Sequence, residues 1–402
     1  MKPKIRFNNN CWQKHKVGDL CDLLTGYPFP GDKILKRGKN LLMRGINITE
    51  GRIRHSDEID RYYNEDTIGL EKYRLQVGDL VIGMDGSKVG KNSALVTSKE
   101  NYSLLVQRVA RLRNEDKNLI NLIQIAVGSD KFIKYVEEMK TSSAIPHISP
   151  ADIRNFPLSL PEDSNERRLV ASYFTSLDSQ ISASTSRLAS LKQMKAASLQ
   201  AMFPQEGETV PKIRFKGFEG EWKKVKADSI FKTFNEKNRS DLPVLSATQD
   251  RGMVTRESIG YNIFHDTSNE ATYKHILPGQ FVIHLRSFQG GFAHSEIEGI
   301  ASPAYTIMDF KNKDLYYDYY WRYVFMSKEF IKRLELITYG IRDGRSISYD
   351  EFKEMSFLVP SKEEQIKIAS YLRNLDRQIS LQSQRLEKLK QIKSACLDKM
   401  FV

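Results

Sequence analysis

The 402-residue sequence is poor in cysteine, in histidine and in long apolar runs. Its three cysteines, Cys11, Cys21 and Cys396, fall at no spacing that a metal site uses. An odd, sparse set of this kind predicts reduced thiols in a cytoplasmic protein. The seven histidines include no H-E-x-x-H pair. No stretch approaches the roughly 18 consecutive apolar residues of a membrane span. The start, MKPKIRFNNN, has no apolar signal-peptide core, so no membrane association is expected. Glycine and proline are missing altogether from 166–202 and from 364–400, although the chain holds 23 and 13 of them. Gaps of that length predict two long uninterrupted helices.

Familiar catalytic loops are missing as well. GSKVGKNS (86–93) puts three residues between Gly86 and Gly90 where a P-loop has four, and Asn92 where a hydroxyl would hold Mg²⁺. SPAY (302–305) departs from the N/D-P-P-Y/F loop of adenine methyltransferases at Ser302 and Ala304, and no glycine-rich cofactor loop precedes it. Tyr305 is therefore expected to pack in a core rather than to stack on a base. No P-D…[DE]-x-K nuclease core stands in strand context. The chain reads as a binder without chemistry of its own, with no catalytic residue, metal or cofactor expected in it.

With 40% hydrophobic and 28% charged residues the chain can bury real cores, and its length suggests two or three domains. Its net charge of +12 suits a polyanion such as nucleic acid, although a merely basic soluble protein would show the same. Residues 1–160 carry 26 basic and 19 acidic side chains, and 208–360 carry 22 and 21. The excess thus lies in folded segments, mostly in the first half.

The strongest signal is internal repetition. PKIRF stands at 3–7 and at 211–215, each followed by a tryptophan (Trp12, Trp222). Residues 166–203 align without gaps to 364–401 with 19 identities in 38 positions. The plan is duplicated: globular segments at 1–160 and 208–360, each followed by a tail helix, at 161–207 and 361–402. In the tails an apolar stripe repeats at coiled-coil spacing. Leu177, Ile181, Leu188 and Leu191 are expected to face Leu375, Ile379, Leu386 and Leu389. A helix of this length would extend roughly 57 Å at 1.5 Å per residue. Connectivity requires the second helix to run back along the first, so the pair is antiparallel and its heads lie at opposite ends. Two heads a few tens of ångströms apart match B-DNA, whose helical turn is about 34 Å. The expected fold is mixed α+β: two pseudo-repeated α/β domains joined by two antiparallel coiled-coil helices, with internal pseudo-two-fold symmetry.

Each head has a short apolar strand, VGDLVIGM (77–84) and PGQFVIHL (278–285), leading into a loop rich in Gly, Ser, Lys, Arg and Gln. Such loops bring backbone and donors close to phosphates and base edges. Candidate DNA contacts are Arg44, Ser87, Lys88 and Lys91 in the first head. In the second they are Arg286, Ser287, Gln289, Arg342 and Arg345. Elsewhere the heads are far less alike than the helices, as two readers of different half-sites on one frame would be.

These stretches carry a resemblance over nearly the whole chain. The carriers are PKIRF…W at both repeat starts, VGDLVIGMDGSKVGK, YKHILPGQFVIHLRSFQGG and GIASPAY. HISPADIRNFPLSLPEDSNERRLVASYFTSLDSQI and SISYDEFKEMSFLVPSKEEQIKIASYLRNLDRQI add the two junctions. The chain resembles the specificity (S) subunits of type I restriction–modification systems. At the first junction Arg167 departs from the family's P-x-x-E-Q pattern, where the second copy has Glu364-Gln365; a weakened helix start or a weakened partner contact is the expected consequence. The resemblance implies two target recognition domains reading a split double-stranded DNA sequence. It implies helices that set the gap and bind two modification subunits, and a further association with restriction subunits. S-adenosylmethionine, ATP and Mg would sit on those partners, and the setting would be a bacterial or archaeal cytoplasm. The alternatives are a coiled-coil DNA-binding adaptor, or a DNA-modifying enzyme with an unrecognised active site.

Overall fold

The computed structural model describes residues 12–139, 146–248, 251–259, 267–284, 291–338 and 348–400. The first PKIRF and Cys11 fall outside them. The chain divides into two compact units, 1–185 with 384–402, and 186–383.

The first unit runs β1 (Trp12–Lys16), α1 (Val17–Leu20), β2 (Asp22–Thr25), β3 (Asn40–Met43), β4 (Ile48–Thr49), β5 (Arg52–Ile53) and β6 (Tyr62–Tyr63). It continues through β7 (Leu80–Gly83), β8 (Ser93–Leu95), β9 (Leu104–Leu105), β10 (Val109–Arg113), α2 (Lys117–Val127), α3 (Asp130–Met139), α4 (Pro150–Asn155) and β11 (Pro157–Pro161) into the long helix α5 (Ser164–Ala201). The second unit takes over along α5 and runs β12 (Lys223–Lys226), α6 (Ala227–Ile230), β13 (Phe231–Phe234), β14 (Leu245–Thr248), β15 (Gly252–Thr255) and β16 (Lys274–Ile276). Then come β17 (Phe281–Ile283), β18 (Phe292–His294), β19 (Gly299–Ala301), β20 (Thr306–Phe310), α7 (Asp318–Met326), α8 (Lys328–Thr338), α9 (Tyr349–Lys353), β21 (Ser356–Val359) and α10 (Lys362–Met400).

The duplication is explicit in the strand order. One unit holds the sheet β2-β10-β7-β8 and the pair β1-β11; the other holds β13-β20-β17-β18 and β12-β21. The all-apolar strands are central and covered on both faces. Leu80 and Ile82 join the cluster under α2 and α3, while Val81 joins the distal cluster with Met43 and Leu105. Phe281 and Ile283 divide from Val282 in the same way. A continuous apolar run, rather than an alternating one, is what double coverage demands. Ser149 with Asp152, and Ser348 with Glu351, form matching capping boxes on α4 and α9.

Both long helices begin with a glutamate buried against the head that precedes them. The Trp12 indole N–H donates to Glu166 Oε1 at 2.9 Å. Arg214, from the second PKIRF, holds Glu364 with two hydrogen bonds of 2.7 Å. The next residue shows how the first copy tolerates its departure from the family pattern. Gln365 donates to the Pro360 carbonyl and accepts from the backbone N–H of Tyr317, the N-cap residue of α7. Arg167 donates to the matching carbonyl, Glu162, at 2.7 Å, and pairs at 3.6 Å with Asp116, the N-cap residue of α2. A cation and a carboxylate replace an amide and a backbone N–H, so the junction is tied at the same two points.

In each unit the start of one long helix lies against the end of the other. Lys393 pairs with Asp178 at 2.5 Å in the first unit, and Lys195 with Asp376 at 2.6 Å in the second. Tyr173 meets Cys396 at 3.6 Å, and Tyr371 meets Ser198 at 3.3 Å. As one partner number rises the other falls, so the pairing is antiparallel. Each pair maps onto the other by the 198-residue offset of the repeat. Of the stripe residues, Leu177, Leu191, Leu375 and Leu386 are buried, whereas Ile181, Leu188, Ile379 and Leu389 are half-buried. Ser184 is buried near the middle of α5, where the seam is therefore partly polar.

Candidate nucleic-acid interface

The distal side of the first head carries an open cleft of about 730 Å³. It brings together three of the four sequence candidates of that head, Arg44, Ser87 and Lys88, with Arg54, Gln107 and Arg108. Each is positioned by an identifiable device. Gly86 (φ 97°) turns the chain sharply out of β7. Val89 then plugs the core, and Gly90 passes so close to Val136 that a Cβ would lie 3.1 Å from it. Ser87 and Lys88 are left exposed between these anchors. Arg54 is exposed, with its Nε donating to the Ile46 carbonyl at 2.9 Å.

Arg44 is held differently. It is half-buried, and its guanidinium donates to the Ile59 carbonyl at 3.4 Å. Burial, with the nearby Arg61 charge, lowers its pKa below the usual arginine value. Its charge therefore lies in the cleft wall while Arg54, Lys88 and Arg108 reach outward. Lys91 does not join them. It lines a second cleft of about 780 Å³ with Asn121, Gln124, Asp178 and Lys393.

Gln107 and Arg108 were not legible as site residues. They are the two polar residues at a turn between β9 and β10, inside the otherwise largely apolar stretch LLVQRVARL. Exposed cations and amides beside the apolar Ile46, 46% exposed, can meet phosphates, base edges and a thymine methyl. Among the described residues no group of three or more His, Cys, Asp or Glu side chains could hold a metal ion.

The model of the type I restriction modification DNA specificity domain matches this chain twice, over residues 9–193 and 219–391. The chain belongs to this family of specificity (S) subunits. Its two matches cover most of the sequence and correspond to the two copies of the repeat. The EcoAI specificity subunit of Escherichia coli is 29% identical over 161 residues, which is 39% of this chain and 27% of that protein. The alignment thus spans little more than a quarter of the relative's length. The S subunit of M. genitalium has the same fold, with a TM-score of 0.65 and 16% identity, covering 100% of this chain and 99% of that one. A chain from a structure on complex assembly and conformational transition of the type I R-M system aligns at TM-score 0.50 and 16% identity, over 98% of both chains.

In the second S-subunit head, Arg286, Ser287, Gln289, Arg342 and Arg345 lie outside the described residues. The described turn that matches Val106–Arg108 is Ser302–Tyr305, between β19 and β20. It carries Pro303 and Ala304 where the first head carries Gln107 and Arg108. Tyr305 is half-buried against the distal cluster, and its carbonyl accepts from Lys274 Nζ at 2.6 Å. The same turn thus presents an amide and a cation in one head, and an exposed proline and alanine in the other. No described helix is long and apolar enough to cross a membrane.

Proposed function

We propose that this S subunit binds a bipartite double-stranded DNA sequence, one half-site per head. It directs two modification subunits to methylate adenine, and restriction subunits to translocate and cut unmodified DNA. It brings specificity and no catalysis; S-adenosylmethionine, ATP and Mg belong to the partners. The observation that carries this reading is a contrast. The helix pairs repeat contact for contact, Lys393–Asp178 against Lys195–Asp376, while the outward turns differ between the heads. A fixed frame with unequal readers suits a split, asymmetric target.

The test is the methylation pattern of DNA exposed to the S subunit with its modification subunits. A discontinuous motif with a constant gap is expected. S-adenosylmethionine bound by the isolated chain would instead favour a modifying enzyme, and assembly without any DNA preference would favour a plain adaptor.

Two further results are expected. Lys88→Ala weakens binding to all sequences alike and reduces the slope of log affinity against log salt by about 1, the effect of one phosphate contact; a sequence-selective loss in salt titrations would reassign Lys88 to base reading. Inserting one helical turn into both α5 and α10 lengthens the gap and leaves both half-sites alone. An unchanged gap in the mapped motif would remove the helices as its ruler.

A further inference from the structure

The turn Val106–Val109 holds an arginine where backbone sterics favour glycine. Its ends are closed by the Val109 N–H donating to the Val106 carbonyl at 3.2 Å. Arg108, its second central residue, sits at φ 65°. That left-handed position is ordinarily filled by glycine or asparagine, because a Cβ there crowds the backbone.

The surroundings over-determine this strained backbone. The Gln107 N–H donates to the Tyr27 carbonyl at 2.9 Å, and the Arg108 carbonyl accepts from the Met84 N–H at 3.0 Å. Gly26 lies so close that a Cβ would stand 2.1 Å from the Val106 oxygen. The side chain, by contrast, is 62% exposed, and its Nη1 donates to Asp85 Oδ2 at 2.9 Å. A pair this exposed adds little stability, so it does not account for retaining arginine. What it does is aim the guanidinium. Strain held in place by its neighbours, beneath an outward cation in a cleft, points to function.

Building on the DNA-reading function proposed above, we infer that Arg108 is a specificity-determining residue of the first head. It reads a guanine through O6 and N7, with Asp85 as its positioning residue. Bidentate pairing of a planar guanidinium with guanine is the commonest specific contact in the major groove. Lys88 beside it meets the backbone, where a point charge suffices. The second head carries Ala304 at the corresponding turn position, so this contact belongs to the half-site read by the first head.

The experiment is motif mapping on a randomised DNA library, with the S subunit bound to the modification subunits of the same host. Arg108→Gly removes the guanidinium and relieves the turn. The variant is expected to melt no lower than the parent and to keep the second half-site and the gap. It should lose most of its guanine preference, on the order of tenfold or more, at one position of one half-site. Arg108→Lys keeps the charge but not the fork, and should relax the same position while retaining most of the affinity. An unchanged motif in Arg108→Gly overturns the inference. So does a chain that unfolds on this change, since Arg108 would then be holding the turn together. The unaltered complex separates the two levels: if it methylates no discontinuous motif, the DNA-reading proposal itself fails.

Discussion

Phe174→Ala and Leu372→Ala each lower the stability of the unit that contains them by several kcal/mol: about 3–5 for the phenylalanine and about 2–5 for the leucine. Ile181→Ala, on the first of these stripes, costs only about 1 kcal/mol. The contrast follows from where each residue stands along its helix. Phe174 and Leu372 are fully buried, and each belongs to the core cluster of its head. Truncation there leaves a cavity that packed β-structure on one side cannot close. Ile181 is half-buried and lines the second cleft, so water already reaches one side of it. Urea unfolding of the three variants checks this. Equal losses at all three positions would show a uniform seam, as in an ordinary coiled coil, rather than helix starts rooted in the cores of their heads.

The second large effect is expected at the head of α10. Arg214→Ala should destabilise the second unit by about 3 kcal/mol, because it strands the Glu364 carboxylate, whose side chain is 2% exposed, without its partner. The paired contrast is Lys393→Ala. Its salt bridge to Asp178 has similar length but side chains 31% and 50% exposed, so its loss costs about 1 kcal/mol or less. Thermal melting of the two variants side by side decides. Comparable shifts would mean that burial does not set the worth of these pairs. The double variant Arg214→Ala, Glu364→Leu should recover much of the loss, since the penalty lies in the orphaned charge and not in the missing attraction.

The frame was legible in the sequence because repetition is a comparison the chain makes with itself. Nineteen identities at one offset need no knowledge of packing, and glycine- and proline-free stretches of that length admit little besides helix. The central strands were legible because LVI and FVI, covered on both faces, must be apolar throughout. The candidate interface was only partly so. Arg44 was found as a candidate, but nothing in LLMRGIN reveals that its guanidinium turns toward Ile59. Lys88 and Lys91 are three residues apart, yet the plug formed by Val89 and Gly90 sends them to different clefts. Arg108 escaped because its signal is a backbone angle, and arginine is not a residue from which a left-handed turn is read. Arg167 misled in the other direction. Its departure from Gln365 suggested a weaker helix start or partner contact, but its carboxylate partner, Asp116, lies in a segment whose pairing the local sequence does not show.

The reciprocal contacts between the long helices carry one more implication. Position 178 of one copy meets position 393 of the other, and position 376 meets 195, so every such contact joins a residue type from the front of one helix to a residue type from the back of its twin. At these contacts the two helices match closely, with Ser198 standing where the other copy has Cys396, each facing an equivalent tyrosine. The frame is in this sense built from interchangeable parts. A gene encoding it could exchange one head for another, or pair a new half with an old one, with little compensating change at these seam contacts.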